Sequence, residues 1–592
     1  MTRRPSAALV AALVALPLAA LPFAAAGAQV TNVRTVKPES SPGTTATTAQ
    51  AAQAEFERYR RQNLPGTPKM RGGAGNCDEQ IGNWCYWYDE NEPPAPAEPA
   101  RIKEARAKLI ATLDSAATGN PTDAWLAAQR VRYLVESKRM DDALAAARAC
   151  KAEGWWCTGL TAFVQHARGE YAAAERSFDS ALARMPERER CEWTDLTLLL
   201  DDAQLQAYRQ LPCGEKRTAW ERRLWWLARP LFSTEGNDAR TEMFARRMMA
   251  RMLQGSAVPH QLGFGEDERE LMLRYGWSRA WTRSGSSRGF NDSLGVSIVG
   301  HEPAPAYPFL PNSFILDNPG NSTAERWLRG VAPIRARYAP EYGMPIRALE
   351  HQSAVFRRGD SALVVLAYDA ARDSAFSQVK NASAALVLTR GDESDAKIVR
   401  ADEGQELRGV LTATAPWGAS LMSAEVASQS EKRTARARYG VRPPHSVGAR
   451  VSVSDLLLFR PYGTIPSRLE EALPHALPTL KVRANERVGF FWEAYGTNPA
   501  GEQIGVSLTV AEEDPKEPGG LARLGRRLRL WKDASPVSVS LSDVSARGVT
   551  TSPRAVLVDI ETLAPGTYVV ELELDIASQY RVRATRRIEV VK

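Results

Sequence analysis

The sequence predicts a multidomain α+β protein in which a helical first half is followed by β-sandwich modules. Three observations lead there. At 592 residues the chain is longer than one hydrophobic core organises. From Ile102 to about Leu253 apolar residues recur with helical spacing. From about Ala348 onward the runs are short, rich in Val, Leu and aromatic residues, and bounded by turn formers. With 44% apolar and 24% charged residues the composition is that of globular protein, so each module has material for a core.

Residues 1–28 read as a signal peptide. Arg3 and Arg4 supply a positive start, Ala7 to Ala20 an apolar run, and Ala26-Gly27-Ala28 a small-x-small cleavage site, so cleavage is expected between Ala28 and Gln29. The mature chain is then exported, to the periplasm or beyond. No cysteine follows the apolar run as a lipid attachment point, and no later stretch reaches the roughly 18 to 20 apolar residues of a membrane span. Residues 29–100 are rich in Thr, Ala, Ser and Pro and read as a linker, with one short helix around Ala51 to Arg61. Within it Trp84, Tyr86, Trp87 and Tyr88 crowd beside Cys77 and Cys85 as a small aromatic knot that docks on the following domain, and Pro93 to Pro99 form a stiff spacer.

Residues 101–255 form the helical domain. Trp220, Leu224, Leu227 and Leu231 keep one helical face, and Asp238 is placed to cap a helix through Phe244, Met248 and Met252. Trp225, Trp226 and the methionines, at this spacing, read as core rather than as a ligand cleft. Residues 256–344 are rich in Gly, Pro, Asn and Ser, which predicts a connecting region of long loops with a few short elements. Two sandwiches follow, 345–460 and 461–592; because no cysteine links them to the first half, 345–592 is expected to fold alone. In the last hairpin, alternation over Tyr568 to Ile576 and Tyr580 to Ala584 sets Asp575 opposite Arg581 and Glu573 opposite Arg583.

Two resemblances rest on specific residues. Tyr171, Ala174, Phe178, Ala181 and Pro186, preceded by Gly169, stand at the offsets used by tetratricopeptide repeats, and Met140, Ala143, Ala147 and Cys150 repeat the pattern earlier in the chain. This region resembles a short, degenerate array of such repeats, which implies a surface for a protein or peptide partner. Arg274-Tyr275-Gly276-Trp277, Ser454 to Leu458, Phe491-Trp492-Glu493-Ala494-Tyr495 and Pro565 to Tyr568 resemble parts of bacterial secreted proteins that carry a GWxTD domain. The nearest text to that family's literal string is Trp281-Thr282-Arg283. The resemblance implies an architecture over residues 255–592 and no mechanism.

All six cysteines lie between Cys77 and Cys213, an even number in an exported chain. The economical pairing closes short loops: Cys77–Cys85, Cys150–Cys157 and Cys191–Cys213. A metal site, the rival reading, needs closer Cys or His spacing, and the only imidazole near is His166. No cofactor or metal is expected. A net charge of +7 with interleaved signs does not favour nucleic acid.

Catalytic signatures are thin. Gly285-Ser286-Ser287-Arg288-Gly289 matches G-x-S-x-G, but no apolar strand precedes it and no helix follows. Ser377-Gln378-Val379-Lys380 falls in a β module and the six histidines are scattered. Glu493 between Trp492 and Tyr495 is a candidate perturbed acid. The expected function is therefore that of an exported, non-enzymatic interaction or scaffold protein of unknown ligand and oligomeric state. The alternative is an exported hydrolase of glycans or peptides with Trp277 and Trp281 lining its cleft, which requires Ser286, Ser287, Asp292, His301, Glu302 and Glu493 to converge.

Overall fold

The computed structural model describes residues 44–67, 79–82, 84–86, 93–260, 264–284, 297–302, 306–308, 310–327, 336–343, 345–392, 395–443, 451–513, 537–545, 547–576 and 580–592. Ala28, Gln29 and Cys77 lie outside them, as do Ser286, Ser287 and Asp292. The fold is α+β, helices first and sheets after, and residues 45–592 form one unit.

The longer helices among the described residues are α1 (Thr44–Asn63), α2 (Ala100–Gly119), α3 (Ala124–Glu136), α4 (Met140–Ala149), α5 (Trp156–Ala167), α6 (Tyr171–Arg184), α7 (Glu187–Thr194), α8 (Asp202–Arg209), α9 (Glu215–Ala228), α10 (Asp238–Leu253) and α11 (Glu266–Tyr275). From α2 to α6 each helix packs on the next, and α10 lies across α3, α5 and α6. Their apolar faces meet in one core that includes Leu113, Leu126, Val131, Leu160, Phe163, Phe178 and Met248. Asp123 caps α3 by accepting from the Leu126 N–H, and Asp201 caps α8 in the same way through Gln204. Disulfides join Cys150 to Cys157, across the α4–α5 turn, and Cys191 to Cys213, with Cα atoms 5.5 and 6.0 Å apart.

Two features of this half differ from the sequence reading. The short helix expected in a linker is a 20-residue helix, α1, belonging to the helical core. Its buried face carries Gln53, Glu57 and Arg60 as well as Ala49 and Phe56, so hydrophobic periodicity does not reveal it. At the start of α10 the cap is Asn237, which accepts from the Arg240 N–H. Asp238 is instead the first helical residue, buried and accepting from the Tyr338 and Tyr342 hydroxyls.

The connecting region holds α11 and the antiparallel pairs β3 (Ala280–Ser284) with β4 (Ser297–His301) and β5 (Tyr307–Pro308) with β6 (Arg337–Tyr338). Upstream, β1 (Glu79–Ile81) and β2 (Trp84–Tyr86) form a hairpin.

The first sandwich opposes two sheets. One runs β11 (Lys397–Arg400), β10 (Ser383–Thr389), β13 (Ser420–Ser428), β14 (Arg433–Val441), β7 (Ile346–Ala348). The other runs β12 (Arg408–Pro416), β9 (Ser361–Asp369), β8 (His351–Arg358). The second sandwich sets β18 (Arg487–Tyr495), flanked by β15 (Ser452–Val453), β16 (Leu457–Phe459) and β21 (Thr551–Asp559), against a sheet in the order β17 (Lys481–Arg483), β23 (Tyr580–Val591), β22 (Gly566–Ile576), β19 (Gln503–Glu512), β20 (Val537–Val544). The segment Ser454 to Leu458, which the sequence places at the end of the first sandwich, leads into β16, whose residues Leu457 to Phe459 pair with β18 of the second. In the last hairpin Asp575 faces Arg581 and Glu573 faces Arg583, the latter pair 2.6 Å apart.

The modules share buried seams. Between the sandwiches, Ala354, Phe356 and Val365 pack on Leu457, Phe459 and Phe491. The Gln352 amide donates to the Leu458 and Leu477 carbonyls and accepts from the Leu458 N–H. Between the helical half and the first sandwich, Val387 and Leu421 join a core with Leu224, Trp225 and Trp226. There Glu425 accepts from the Phe232 and Ser233 N–H groups, the Ser233 and Ser423 hydroxyls and Arg438. Arg438 also donates to the Arg229 and Pro230 carbonyls, with its guanidinium 3.6 Å from the centre of the Phe232 ring. The helical half thus covers a sheet of the first sandwich, a dependence that cysteine placement does not reveal. Burial alone would raise the Glu425 carboxyl, but the Arg438 charge and the converging donors outweigh it and hold it below the ordinary range. Glu425→Ala should cost about 3–5 kcal/mol, because it strands a buried guanidinium and four further donors. Urea unfolding of the full chain checks this.

Candidate functional site

A cleft of about 1390 Å³ opens where the helical domain meets the connecting region. One wall is helical: Lys103, Arg106, Ala107 and Ile110 of α2, Arg132 and Val135 of α3, and the turn Ser137–Met140. The other comes from Trp84 and Tyr86, from α11 and the chain after it through Trp281, and from Ile298–Gly300 and Glu302. Met249 and Leu253 of α10 also line it. No single stretch of sequence carries the cleft, and its walls come from segments more than 200 residues apart.

The Arg274-Tyr275-Gly276-Trp277 turn is the hinge of this wall. Tyr275 stacks on Tyr86 with ring centres 3.6 Å apart, and its hydroxyl and the Arg274 guanidinium both donate to Glu79, which fastens the β1–β2 hairpin to α11. This hairpin therefore docks on a helix almost 200 residues downstream. Gly276 ends α11 at φ 92°, and a Cβ there would stand 3.3 Å from Arg246 Nη2. Arg246, buried on α10, donates through Nη1 to the Leu273 and Arg274 carbonyls, through Nη2 to the Arg337 carbonyl of β6, and through Nε to Glu242. It thereby meets the exposed carbonyl end of α11 with positive charge. Glu242 accepts at its second oxygen from His166 of α5, whose other ring nitrogen meets the Thr241 hydroxyl. A cavity of about 30 Å³, room for one water, adjoins these groups and Arg279 and Glu341.

Behind the helical wall lies a second buried charge cluster. Arg60 of α1 sits between the rings of Phe56 and Trp281, 4.6 and 4.9 Å from their centres, and donates to Glu136. Arg132 donates to Glu57 and to Glu136, and Arg106 to Glu98. Burial alone would raise the Glu136 carboxyl; the charges of Arg60, Arg132 and Arg106 overcome this and hold it down to about 2. Burial also pushes His260 on the cleft wall down, towards the neutral imidazole, where it meets the edge of Trp84.

Of the residues singled out as a catalytic set, the three that lie among the described residues do not gather. Glu302 lines the cleft and accepts from the Ser278 hydroxyl. His301 is bonded through Nε2 to the Thr282 hydroxyl at 2.7 Å, across the β3–β4 pair. Glu493 sits on β18 in the second sandwich, in a two-point ion pair with Arg358 at 2.6 and 3.0 Å, and takes a third bond from the Tyr495 hydroxyl. It is a strut of the sandwich seam, not an acid facing a cavity. Trp277 and Trp281 do line the cleft. Among the described residues no group of three or more His, Cys, Asp or Glu is arranged to hold a metal ion, and no helix is long and apolar enough to cross a membrane.

No family model matches the chain, and no curated protein matches it. Similar solved structures include red sea bream transglutaminase, 12% identical over 42% of this chain and 32% of that one, with a TM-score of 0.14. The FN1–FN3 domains of chicken CNTN1 are 10% identical over 43% of this chain and 71% of that one, with a TM-score of 0.14. A tetra-tandem repeat in the extending region of a large adhesion protein is 12% identical over 41% and 49%, with a TM-score of 0.13. Likenesses this slight bear on neither site nor activity.

Because the Glu136 carboxyl falls from 4.5 to about 2 on folding, it stabilises the chain above the ordinary carboxyl range and loses that contribution as pH drops towards 2. The melting temperature should fall steeply between those limits. Glu136→Gln should melt lower at neutral pH and show a flatter decline over the same interval, as thermal melts across a pH series will show.

Proposed function

We propose that this chain is an exported binding protein that holds a segment of another polypeptide in the cleft. One observation carries the reading: the cleft exceeds the roughly 300–1,000 Å³ of small-molecule pockets, and one of its walls is a stack of helical hairpins. Stacked hairpins of this kind commonly hold extended peptides. The tetratricopeptide-like pattern over Gly169 to Pro186 supports this.

The lining suits a peptide in its chemistry as well. Lys103 and Lys138 offer exposed cations, Glu268 and Glu341 anions, and Leu271, Met272 and Phe264 apolar surface. Mixed charge of both signs does not suit a polyanion. Export rests on residues 1–28 and agrees with the disulfides at Cys150–Cys157 and Cys191–Cys213; the pairing of Cys77 with Cys85 belongs to the same proposal. The hydrolase alternative gains no support from the described residues, since His301, Glu302 and Glu493 serve different partners.

A peptide array probed with the full mature chain tests the reading. Captured peptides should lose at least about tenfold in affinity with Ala107→Trp, an exposed cleft position where added bulk fills the groove without entering the core. Binding unmoved by Ala107→Trp and by Lys138→Glu would overturn the cleft as the site. Cleavage of the captured peptides, read by mass spectrometry, would restore the hydrolase.

A further inference from the structure

An exposed strand edge is a template for pairing with another chain, and proteins blunt such edges with brevity, Lys, Arg or Pro. Most edges of the two sandwiches follow this rule. β7 and β17 have three residues each, β11 carries Lys397 and Arg400, β12 carries Arg408 and Pro416, and β21 carries Pro553 and Arg554. β8 lies against the second sandwich, where the Asp455 N–H donates to the Val355 carbonyl and the Val355 N–H donates to the Asp455 carboxylate.

β20 departs from it. It pairs with β19 over all eight residues from Val537 to Val544 and, among the described residues, on one side only. Ser538 and every residue from Ser540 to Val544 are exposed, Val544 to 60%. The strand, Val-Ser-Val-Ser-Leu-Ser-Asp-Val, contains no Lys, Arg or Pro. Its one charge, Asp543, is engaged by Arg554 at 2.8 Å, and Arg554 also takes the Val544 carbonyl, so the open row ends there.

We propose that β20 is a homodimer edge, pairing antiparallel with β20 of a second copy about a two-fold axis through Ser540. The sequence is complementary to itself in that register. Val539 of one copy falls opposite Leu541 of the other, Ser538 opposite Ser542, and Ser540 opposite itself. On the core face, where Val537 and Val539 already pack on the sandwich core, the central pair Val539–Leu541 is apolar, and serines meet serines on the outer face. Asp543 falls opposite Val537, so no like charges meet. The two five-stranded sheets would join into one, and the half-exposed side chain of Leu541 would be covered.

Sedimentation of the full mature chain should show a reversible dimer. Ser540→Lys, which sets two cations opposite each other at an exposed position, should weaken it by at least about tenfold. Ser540→Cys should form a covalent dimer under mild oxidation, since residues directly opposite in an antiparallel pair have Cα atoms about 4.5–5.5 Å apart, within disulfide reach. Val544→Cys, more exposed, should not, because the two copies of that position stand about 27 Å apart along the ladder at about 3.4 Å per residue. A monomeric wild type would overturn the proposal and leave the edge to a strand from a different protein. A dimer unmoved by Ser540→Lys, or cross-linking at Ser540→Cys no faster than at Val544→Cys, would overturn it equally.

Discussion

The guanidinium of Arg246 is the point on which the helical half and the connecting region depend. One planar group reaches the carbonyl end of α11, the backbone of β6 and the carboxylate of Glu242, and Glu242 in turn holds His166 on α5. No other side-chain type does this. Lysine carries the charge without the fork, and an apolar residue would leave three buried carbonyls unmet. Gly276 is required by the same arrangement, since its left-handed backbone ends α11 and leaves Arg246 room beneath it. With α11 fixed, the β1–β2 hairpin docks through Tyr275 and Glu79, and the second wall of the cleft exists.

The other seams use the same device. Arg60 and Arg132 with Glu57 and Glu136 join α1 to α3, Arg438 with Glu425 joins the helical half to the first sandwich, and Arg358 with Glu493 joins the two sandwiches. Burying such pairs costs desolvation that their attraction only partly offsets, so they add little over well-packed apolar residues. Their effect is on specificity: a seam built of charge tolerates one partner and one register, whereas an apolar seam tolerates several. In a chain whose modules meet across hundreds of residues, that selectivity decides which surfaces come together.

Much of the fold was legible because its periods are local. The alternation of β22 and β23 set their register and their charge pairs, and the spacing of Tyr171, Ala174, Phe178 and Ala181 identified α6 and its buried face. What failed to show has a common cause. α1 buries Gln53, Glu57 and Arg60, so its inner face reads as polar, and a rule that seeks apolar stripes passes over it. Ser454 to Leu458 falls within the bounds read for the first sandwich, yet Leu457 to Phe459 pair with β18 of the second, a long-range choice that local pattern does not carry. Glu493 looked like a poised acid because its partner, Arg358, lies on another module. The cleft was invisible for the same reason, although Trp277 and Trp281, both named from the sequence, stand on its wall.

The most direct test of this account is the unfolding free energy of Arg246→Lys, measured by urea titration of the full mature chain with circular dichroism, alongside hydrogen exchange of the peptide spanning the Arg274 to Trp277 turn. Lysine keeps the charge beside Glu242, but its three donors on one nitrogen cannot meet four acceptors spread around a planar fork. The expected result is a loss of about 3 kcal/mol or more, with exchange at that turn preceding the loss of β structure. A variant within about 0.5 kcal/mol of wild type, unfolding in a single coincident transition, would contradict the claim that this side chain holds the two regions together.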